Sequence, residues 1–491
     1  MKWLLNSFVL IWVLMSLPAV LVAQSSPKVR VLVLTDIEAD VDDAQSLVRF
    51  LAYANEFDIE GLIATTSTHQ RHRLAPETIH RLLDAYNKVQ PNLLKHAKGY
   101  PTAAELKKKV RKGLAVYGME GVGEGKDSEG SEWIIQTLEK PDNRPLWVPV
   151  WGGPNCLAQA LWKIQKTKSA AQASQLYKKL RVYTISDQDD SGPWIRKNFP
   201  DVFFIVSPGG NYRNATWIGI TGFMPGANNE VTSNDWLAQH IQQGHGPLGA
   251  EYPDVAYGME GDTPAFLGLI PNGLNDPEHP NFGGWGGRYE LYTPKPEPQQ
   301  PSRPMRTQGG ELVTGPVSGT ETRPIWTNAE DTYSPMKSSR WGRPVVADTA
   351  KYTSTQVTLW RWREEFQNDF AARMDWMVKD YKGANHPPVP KLNHPDVLKV
   401  KSGDIFGLNA DGSSDPDGDA LSYYWFQYPE AGTYKGVIRF APFQPNLANL
   451  HTVVAPEVDS PQTIHFILKV TDKGTPALTR YKRVIVQVSP K

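Results

Sequence analysis

The chain runs to 491 residues, too long for one ordinary domain, and 40% of it is hydrophobic, enough to fill real cores. Lys+Arg and Asp+Glu both number 52, and this zero net charge excludes the global basic field that attracts nucleic acid or an anionic membrane. The 16 Trp and 19 Tyr serve either as core filler or as flat stacking surfaces for sugars and bases.

Residues 1–23 read as a secretory signal peptide. Lys2 gives a positive start, an apolar run surrounds Leu10 to Leu14, Pro18 breaks it, and Ala23 offers a small cleavage edge before Gln24. The alternative, a retained anchor helix, needs a longer apolar run. No cysteine follows the run, which excludes lipoprotein anchoring. Cys156 is the sole cysteine, so no intrachain disulfide is expected. No later segment is apolar enough to span a bilayer, so a secreted or periplasmic protein without a membrane partner is expected.

From Val29 onward β-branched runs alternate with amphipathic stretches. The pattern predicts strands over Val29–Leu34, Ile59–Thr65, Trp147–Val150, Leu180–Ile185 and Val202–Val206, with helices over Asp43–Ala54 and Pro76–Val89. Such β-α repetition predicts an α/β domain, a mostly parallel sheet with helices on both faces, over residues 28–382. Ligands of such sheets bind beyond the carboxyl ends of the strands, where Asp36–Asp43, Trp151-Gly152-Gly153 and Ser186–Ser191 all fall. Pro271–Tyr352, rich in Gly, Pro, Ser and Thr, reads as a long surface excursion. Thr355–Val378 returns to helix, with Trp362, Phe366, Phe370, Met374 and Met377 near one core-facing side.

Asn385-His386-Pro387-Pro388 lies in a linker, 383–392, and residues 393–491 read as an all-β immunoglobulin-like sandwich. Its expected strands are Val397–Leu408, Leu421–Gln427, Val437–Phe440, Thr463–Thr471 and Arg480–Val488. The run Asn409 to Asp419 resembles the first loop of PKD-like and cadherin-like modules. Asp415, Asp417 and Asp419 there are either calcium ligands or the residues of plain Asp-Gly turns.

Asp36, Glu38, Asp40, Asp42 and Asp43 place five carboxylates within eight residues, directly after a buried strand. At such spacing they repel one another unless a cation or solvent relieves them. Calcium, which accepts six to eight oxygens in loose geometry, is the natural cation, and zinc is disfavoured because the cluster holds no Cys or His. An acidic helix start accounts for Asp42 and Asp43. It does not account for carboxylates reaching back to the strand.

The run Asp36-Ile37-Glu38-Ala39-Asp40-Val41-Asp42-Asp43 resembles the Asp-x-Asp-x-x-x-Asp-Asp fingerprint of nucleoside hydrolases, with Glu38 in place of the second Asp. Thr35-Asp36-Ile37, Asp42–Arg49, Ile59–Thr68, Ile185–Gly192, Pro271–Leu274 and Gln367–Phe370 are closer to the exported Sde182-type branch. That branch is described as cellulose-binding with a nucleoside hydrolase-like domain. The resemblance covers about residues 28–382, and the C-terminal sandwich fits the second domain of the same branch.

This resemblance implies a calcium shell of Asp36, Glu38, Asp43, the Trp151 carbonyl before Gly152-Gly153, and Asp262 in Glu260-Gly261-Asp262. It implies that Asp42 contacts a sugar hydroxyl, and that calcium holds two neighbouring sugar hydroxyls and a water whose proton a carboxylate removes. That water would attack the anomeric carbon as oxocarbenium character develops. Asp36 ranks ahead of Glu38 as the base, because the Sde182-type pattern does not require an acid at position 38. The family histidine before the late aspartate is Gly261 here, a departure that brings nucleosides into question as substrates. Asn155 is a further candidate contact. Asp187 and Asp190 are candidates for sugar contact or for capping the next helix, and Trp285 is either a stacking lid or part of an ordinary Gly-rich loop. Three functions compete: a calcium-dependent hydrolase of glycosyl, chiefly N-glycosyl, bonds; a carbohydrate-binding protein that keeps the fold without turnover; and a surface adhesion module. The implied partners are a sugar or nucleoside-like molecule and, for the second reading, a polysaccharide such as cellulose.

Overall fold

The computed structural model describes residues 27–209, 212–295, 305–306, 312–313, 320–338, 344–346, 350–438, 440 and 449–491. The signal peptide expected at 1–23 lies outside the described residues.

The α/β part is built from β1 (Val29–Thr35), α1 (Asp42–Ala52), β2 (Phe57–Ala64), α2 (Pro76–His96), β3 (Val110–Lys112), α3 (Glu129–Glu139), β4 (Leu146–Val150), α4 (Asn155–Thr167), β5 (Leu180–Ser186), α5 (Ser191–Asn198) and β6 (Phe203–Ser207). Two later strands, β7 (Tyr289–Tyr292) and β8 (Ile325–Asn328), complete an eight-stranded sheet in the order β3-β2-β1-β4-β5-β6-β8-β7. All neighbours pair in parallel except β8 with β7. Side chains of β1 alternate between two cores. Val31 and Val33 pack with α1 and α2, whereas Leu32 and Leu34 pack with α3 and α4. Burial on both faces, worth roughly 1.5–3 kcal/mol for each large apolar side chain, accounts for the unbroken β-branched run.

The chain leaves β1 in one direction through β2 and β3, then returns to β4 on the other side of β1. This reversal opens a crevice between the carboxyl ends of β1 and β4, where open α/β sheets bind ligands. Asp36 and Trp151-Gly152-Gly153 stand on its two sides.

Pro271–Tyr352 is more than a surface excursion, because it donates β7 and β8 to the main sheet. Each is only four residues long, too short for a periodic pattern to register. The predicted helix over Thr355–Val378 divides into Val357–Trp360 and α6 (Arg363–Asp375), and its five expected apolar residues are all buried.

The C-terminal part carries β9 (Val397–Lys401), β10 (Ile405–Asn409), β11 (Ser422–Gln427), β12 (Leu450–Val454), β13 (Gln462–Thr471) and β14 (Thr479–Ser489). They form a four-stranded sheet, β9-β14-β13-β11, and a two-stranded sheet, β10-β12. The single strand expected over Val397–Leu408 is cut by a turn at Gly403, whose φ of 80° suits glycine. Val437, Ile438 and Phe440 lie outside any strand, and Leu450–Val454, unforeseen in the sequence, pairs with β10 instead.

The sandwich shares its core with the α/β part. Trp285, Trp362, Phe366, Tyr428 and Tyr481 lie in one buried cluster. Trp362 packs edge-on to Tyr481 at 5.8 Å, and Arg361 lies over the Tyr428 ring at 4.5 Å. The Pro271–Leu274 loop is clamped to β14, because the Tyr481 N–H donates to the Asn272 carbonyl at 2.9 Å. Gly273 has a φ of 86°, and a Cβ there would stand 2.0 Å from the Tyr481 carbonyl oxygen. Truncating Trp285 should therefore leave a cavity shared by both parts and cost about 3–5 kcal/mol. Denaturant unfolding of Trp285→Ala, with limited proteolysis of the 383–392 linker, checks this; an unchanged midpoint would mean that the joint does not stabilise the fold.

Candidate metal and sugar site

Asp42 and Asp43 open α1, and Asp262 precedes the short helix Pro264–Leu267. Each offers one carboxylate oxygen, and these three oxygens lie within 4.8 Å of one another. Asp262 is 1% exposed, and its Oδ2 has no hydrogen-bond partner. Thr35, the last residue of β1, donates its hydroxyl to Asp43, and the Asp43 N–H donates to Asp42 Oδ1 at 3.1 Å.

Asp36 is buried beside this group, accepting a hydrogen bond from Ser67. The loop from β4 passes so close that a Cβ on Gly152 would lie 2.7–2.8 Å from the Asp36 side chain. Burial is the main force acting on these acids, followed for Asp42, Asp43 and Asp262 by the neighbouring carboxylates. It pushes Asp36 up to about 6 and Asp42 up to about 8, and holds Asp43 and Asp262 well above the usual carboxylate range.

Glu38 faces elsewhere. With a φ of 77°, it turns its carboxylate to Arg73 and to the Thr78 hydroxyl on α2. The structure thus does not gather Glu38 with Asp42, Asp43 and Asp262. The Trp151 carbonyl accepts a hydrogen bond from Gln188 Nε2 at 2.6 Å, and its N–H is bonded to Leu34 of β1. That carbonyl remains at the crevice with a second lone pair.

The other sequence candidates have varied surroundings. Asn155 is buried at the start of α4, donating to Thr66 Oγ1 at 3.0 Å and the Val116 carbonyl at 2.7 Å, while its Oδ1 lacks a partner. Asp187 is locked in a two-pronged pair with buried Arg196 at 2.7 and 2.9 Å, so its carboxylate is occupied by protein. Asp190 stands at the N-cap of α5 without a capping side-chain bond, and it accepts from the Met119 N–H at 2.8 Å instead. The stacking-lid expectation for Trp285 fails, because the indole is 0% exposed and packs against Phe366 and Tyr481.

Three residues at the site were not singled out in the sequence. A Cβ on Gly261 would lie 2.9 Å from Asp42 Oδ2 and 3.1 Å from the Trp217 ring, so Trp217 crowds the place beside Asp42. Tyr212 packs edge-on to Trp217 at 5.1 Å, and its hydroxyl lies 3.3 Å from His69 Nε2. Asp189 is fully buried, with Oδ2 unpartnered, and burial pushes it up to about 7. The Ser186–Gly192 run signalled Asp189 only as one acid among several. Tyr212 and Trp217 come from a stretch with no periodic pattern.

Residues 30–289 match the family described as cellulose-binding Sde182, nucleoside hydrolase-like domain, and residues 405–488 match the cellulose-binding protein Sde0182, C-terminal domain. No curated protein matches the chain. Among solved structures, a nucleoside hydrolase-related protein from Saccharophagus degradans, described as associated with carbohydrate metabolism, is 37% identical. It superimposes with a TM-score of 0.75, covering 94% of this chain and 100% of its own. The PKD domain from KIAA 1837 protein is 20% identical, with a TM-score of 0.16 over 20% of this chain and 86% of its own. A mouse protocadherin fragment, PcdhgC3 EC1-3, is 13% identical, with a TM-score of 0.14 over 21% of this chain and 34% of its own. Both are too dissimilar to support a structural conclusion. Family matches in both parts and the full-length likeness to the Saccharophagus protein agree: the chain belongs to the cellulose-binding Sde182 family, whose first domain is nucleoside hydrolase-like.

Proposed function

We propose that this protein is an exported, calcium-dependent hydrolase of glycosyl bonds, N-glycosyl bonds foremost, with its site on the 28–382 domain. The observation that carries this reading is the convergence of half-buried Asp42 with buried Asp43 and Asp262, with Asp262 Oδ2 unpartnered. An all-oxygen donor set with no Cys or His suits calcium rather than zinc. Asp43, Asp262, Asp36 and the Trp151 carbonyl would hold the ion, and bound calcium would polarise sugar hydroxyls and offset the charge of the acids.

The protein's own groups do the rest. Asp36, buried against Gly152, takes the proton of the attacking water. Asp42 accepts a hydrogen bond from a sugar hydroxyl and fixes the ring. Negative carboxylates under the ring stabilise the positive charge that grows at the anomeric carbon. The engagement of Glu38 by Arg73 and Thr78 supports ranking Asp36 as the base. Gly261 leaves no histidine beside Asp262 to assist a leaving group. That absence, with the family's cellulose-binding description, favours the second reading: a carbohydrate-binding protein that retains the fold without turnover.

In the hydrolase reading, Asp42→Asn should keep the fold while lowering turnover of nucleosides or ribosyl and arabinosyl conjugates by two or more orders of magnitude. Steady-state kinetics beside a thermal melt decide it. Tight calcium binding with no turnover of these compounds by the unmodified protein would favour the binding reading.

The raised acids also fix a pH dependence. In metal-free protein Asp36 and Asp42 hold more protons folded than unfolded between pH 4 and about 8, so their contribution to stability falls as pH rises through this window. Calcium requires the ionised acids, so its affinity should rise over the same range. Melting temperatures from pH 5 to 8, with chelator and with calcium, should diverge as pH increases. Parallel curves would remove the ion from the site.

A further inference from the structure

Two aromatic side chains stand almost bare on the α/β part: Phe223 is 79% exposed and Tyr257 is 91% exposed. Burying a ring of this size is worth roughly 1.5–3 kcal/mol, which both forgo. Their loops pack together, because a Cβ on Gly258 would lie 3.0–3.1 Å from the Thr221 side chain. Met224, Pro225, Val255 and Ala256, next to the rings in the chain, are themselves half-buried or exposed. The result is an apolar surface patch, a feature that marks interaction sites on proteins.

The backbone beneath the patch is pinned by side chains. The Met224 N–H donates to Asn229 Oδ1 at 2.7 Å, and the Val255 N–H donates to Asn234 Oδ1 at 2.8 Å. Arg363 of α6 is buried under the first loop, donating to the Gly219 carbonyl at 2.6 Å and the Gly222 carbonyl at 3.2 Å. The rings are therefore presented by bonded loops, and a partner that covers them need order little backbone.

Charge around the patch is one-sided. No Lys or Arg occurs between Arg213 and Arg288, in a chain whose Lys+Arg and Asp+Glu totals are equal. Glu230, Asp235 and Asp254 adjoin Asn229, Asn234 and Val255, are exposed, and pair with no cation among the described residues. Other elements bring Arg81, which is paired with Glu251, and exposed Lys351, which precedes Tyr352. The Tyr352 ring packs on Gly226 of the first loop. Acids thus predominate at the rim of an apolar centre, and this decides the partner. An anionic bilayer would be repelled. A second copy docked through the same face would set acidic rim against acidic rim. A polypeptide with apolar side chains flanked by Lys and Arg satisfies both parts, its anchors excluding water at the centre while its cations meet the rim.

We infer that the patch centred on Phe223 and Tyr257 is a docking surface for a basic polypeptide segment with apolar anchors. The inference is independent of what the clustered aspartates do. The test uses the mature full chain, the Phe223→Ala/Tyr257→Ala double variant and the Glu230→Gln/Asp235→Asn/Asp254→Asn triple variant. Fluorescence anisotropy follows three labelled probes of equal length: a Leu/Lys peptide, a Leu/Glu peptide and an all-Lys peptide. The unmodified protein should bind the Leu/Lys peptide at least tenfold more tightly than either of the others, and less tightly as salt is raised. Each variant should bind that peptide at least tenfold more weakly while its melting temperature matches the unmodified protein. Equal affinity for all three peptides, no binding of the Leu/Lys peptide, or undiminished binding by the double variant overturns the proposal. Two further results overturn it when the double variant abolishes them. Self-association in sedimentation velocity would assign the patch to a second copy of the chain, and sedimentation with phosphatidylglycerol–phosphatidylcholine vesicles would assign it to a membrane.

Discussion

Mutual repulsion among buried carboxylates is the constraint around which this structure is arranged. Asp36, Asp42, Asp43 and Asp262 meet where the sheet reverses its direction of growth, all but the half-buried Asp42 closed off from water. The leading influences on each are burial, hydrogen bonds and other carboxylates, not cationic side chains. Nearby arginines are directed to other acids: Arg49 pairs with Glu260 at 2.6 Å, Arg196 with Asp187 at 2.7 Å, and Arg73 with Glu38. A fold that neutralises Glu260, Asp187 and Glu38 with arginine leaves this group to be neutralised by a proton or a metal ion.

The same constraint decides which small residues the site requires. A side chain at Gly152 would strike Asp36, and one at Gly261 would strike both Asp42 and Trp217. Gly261 therefore marks an exchange of chemistry as well as a missing histidine. The space beside Asp42 goes to an indole, which offers an apolar face in place of a proton donor.

Much of this was legible in the sequence where the signal is local. The core strands announce themselves because burial on both faces demands unbroken apolar runs, and the acidic cluster because most of its members are contiguous. Legibility ended where long-range contacts decide the outcome. The Trp285 partners Phe366 and Tyr481 come from distant segments, so a Gly-rich loop that read as either a lid or an ordinary loop is part of a joint. Glu38 shows a subtler limit. The motif matches it by charge, but its left-handed backbone turns the carboxylate toward α2, and a motif specifies composition without direction.

The sandwich bears on the site through its joint with the α/β part. Tyr481 and Arg480 of β14 clasp α6, the latter through Asp369. Two residues before Asp369, the Gln367 side chain accepts a hydrogen bond from Arg49, which also holds Glu260. Glu260 accepts further bonds from the Tyr252 hydroxyl at 2.7 Å and the Thr263 hydroxyl at 2.8 Å. Its φ of 48° sets the turn that presents Asp262. A buried arginine–glutamate pair gains little net stability once its desolvation is counted, so the value of this one lies in fixed geometry. The chain of contacts runs from β14 through α6 and Arg49 to the backbone before Asp262, and the sandwich thereby braces the most distant of the clustered acids.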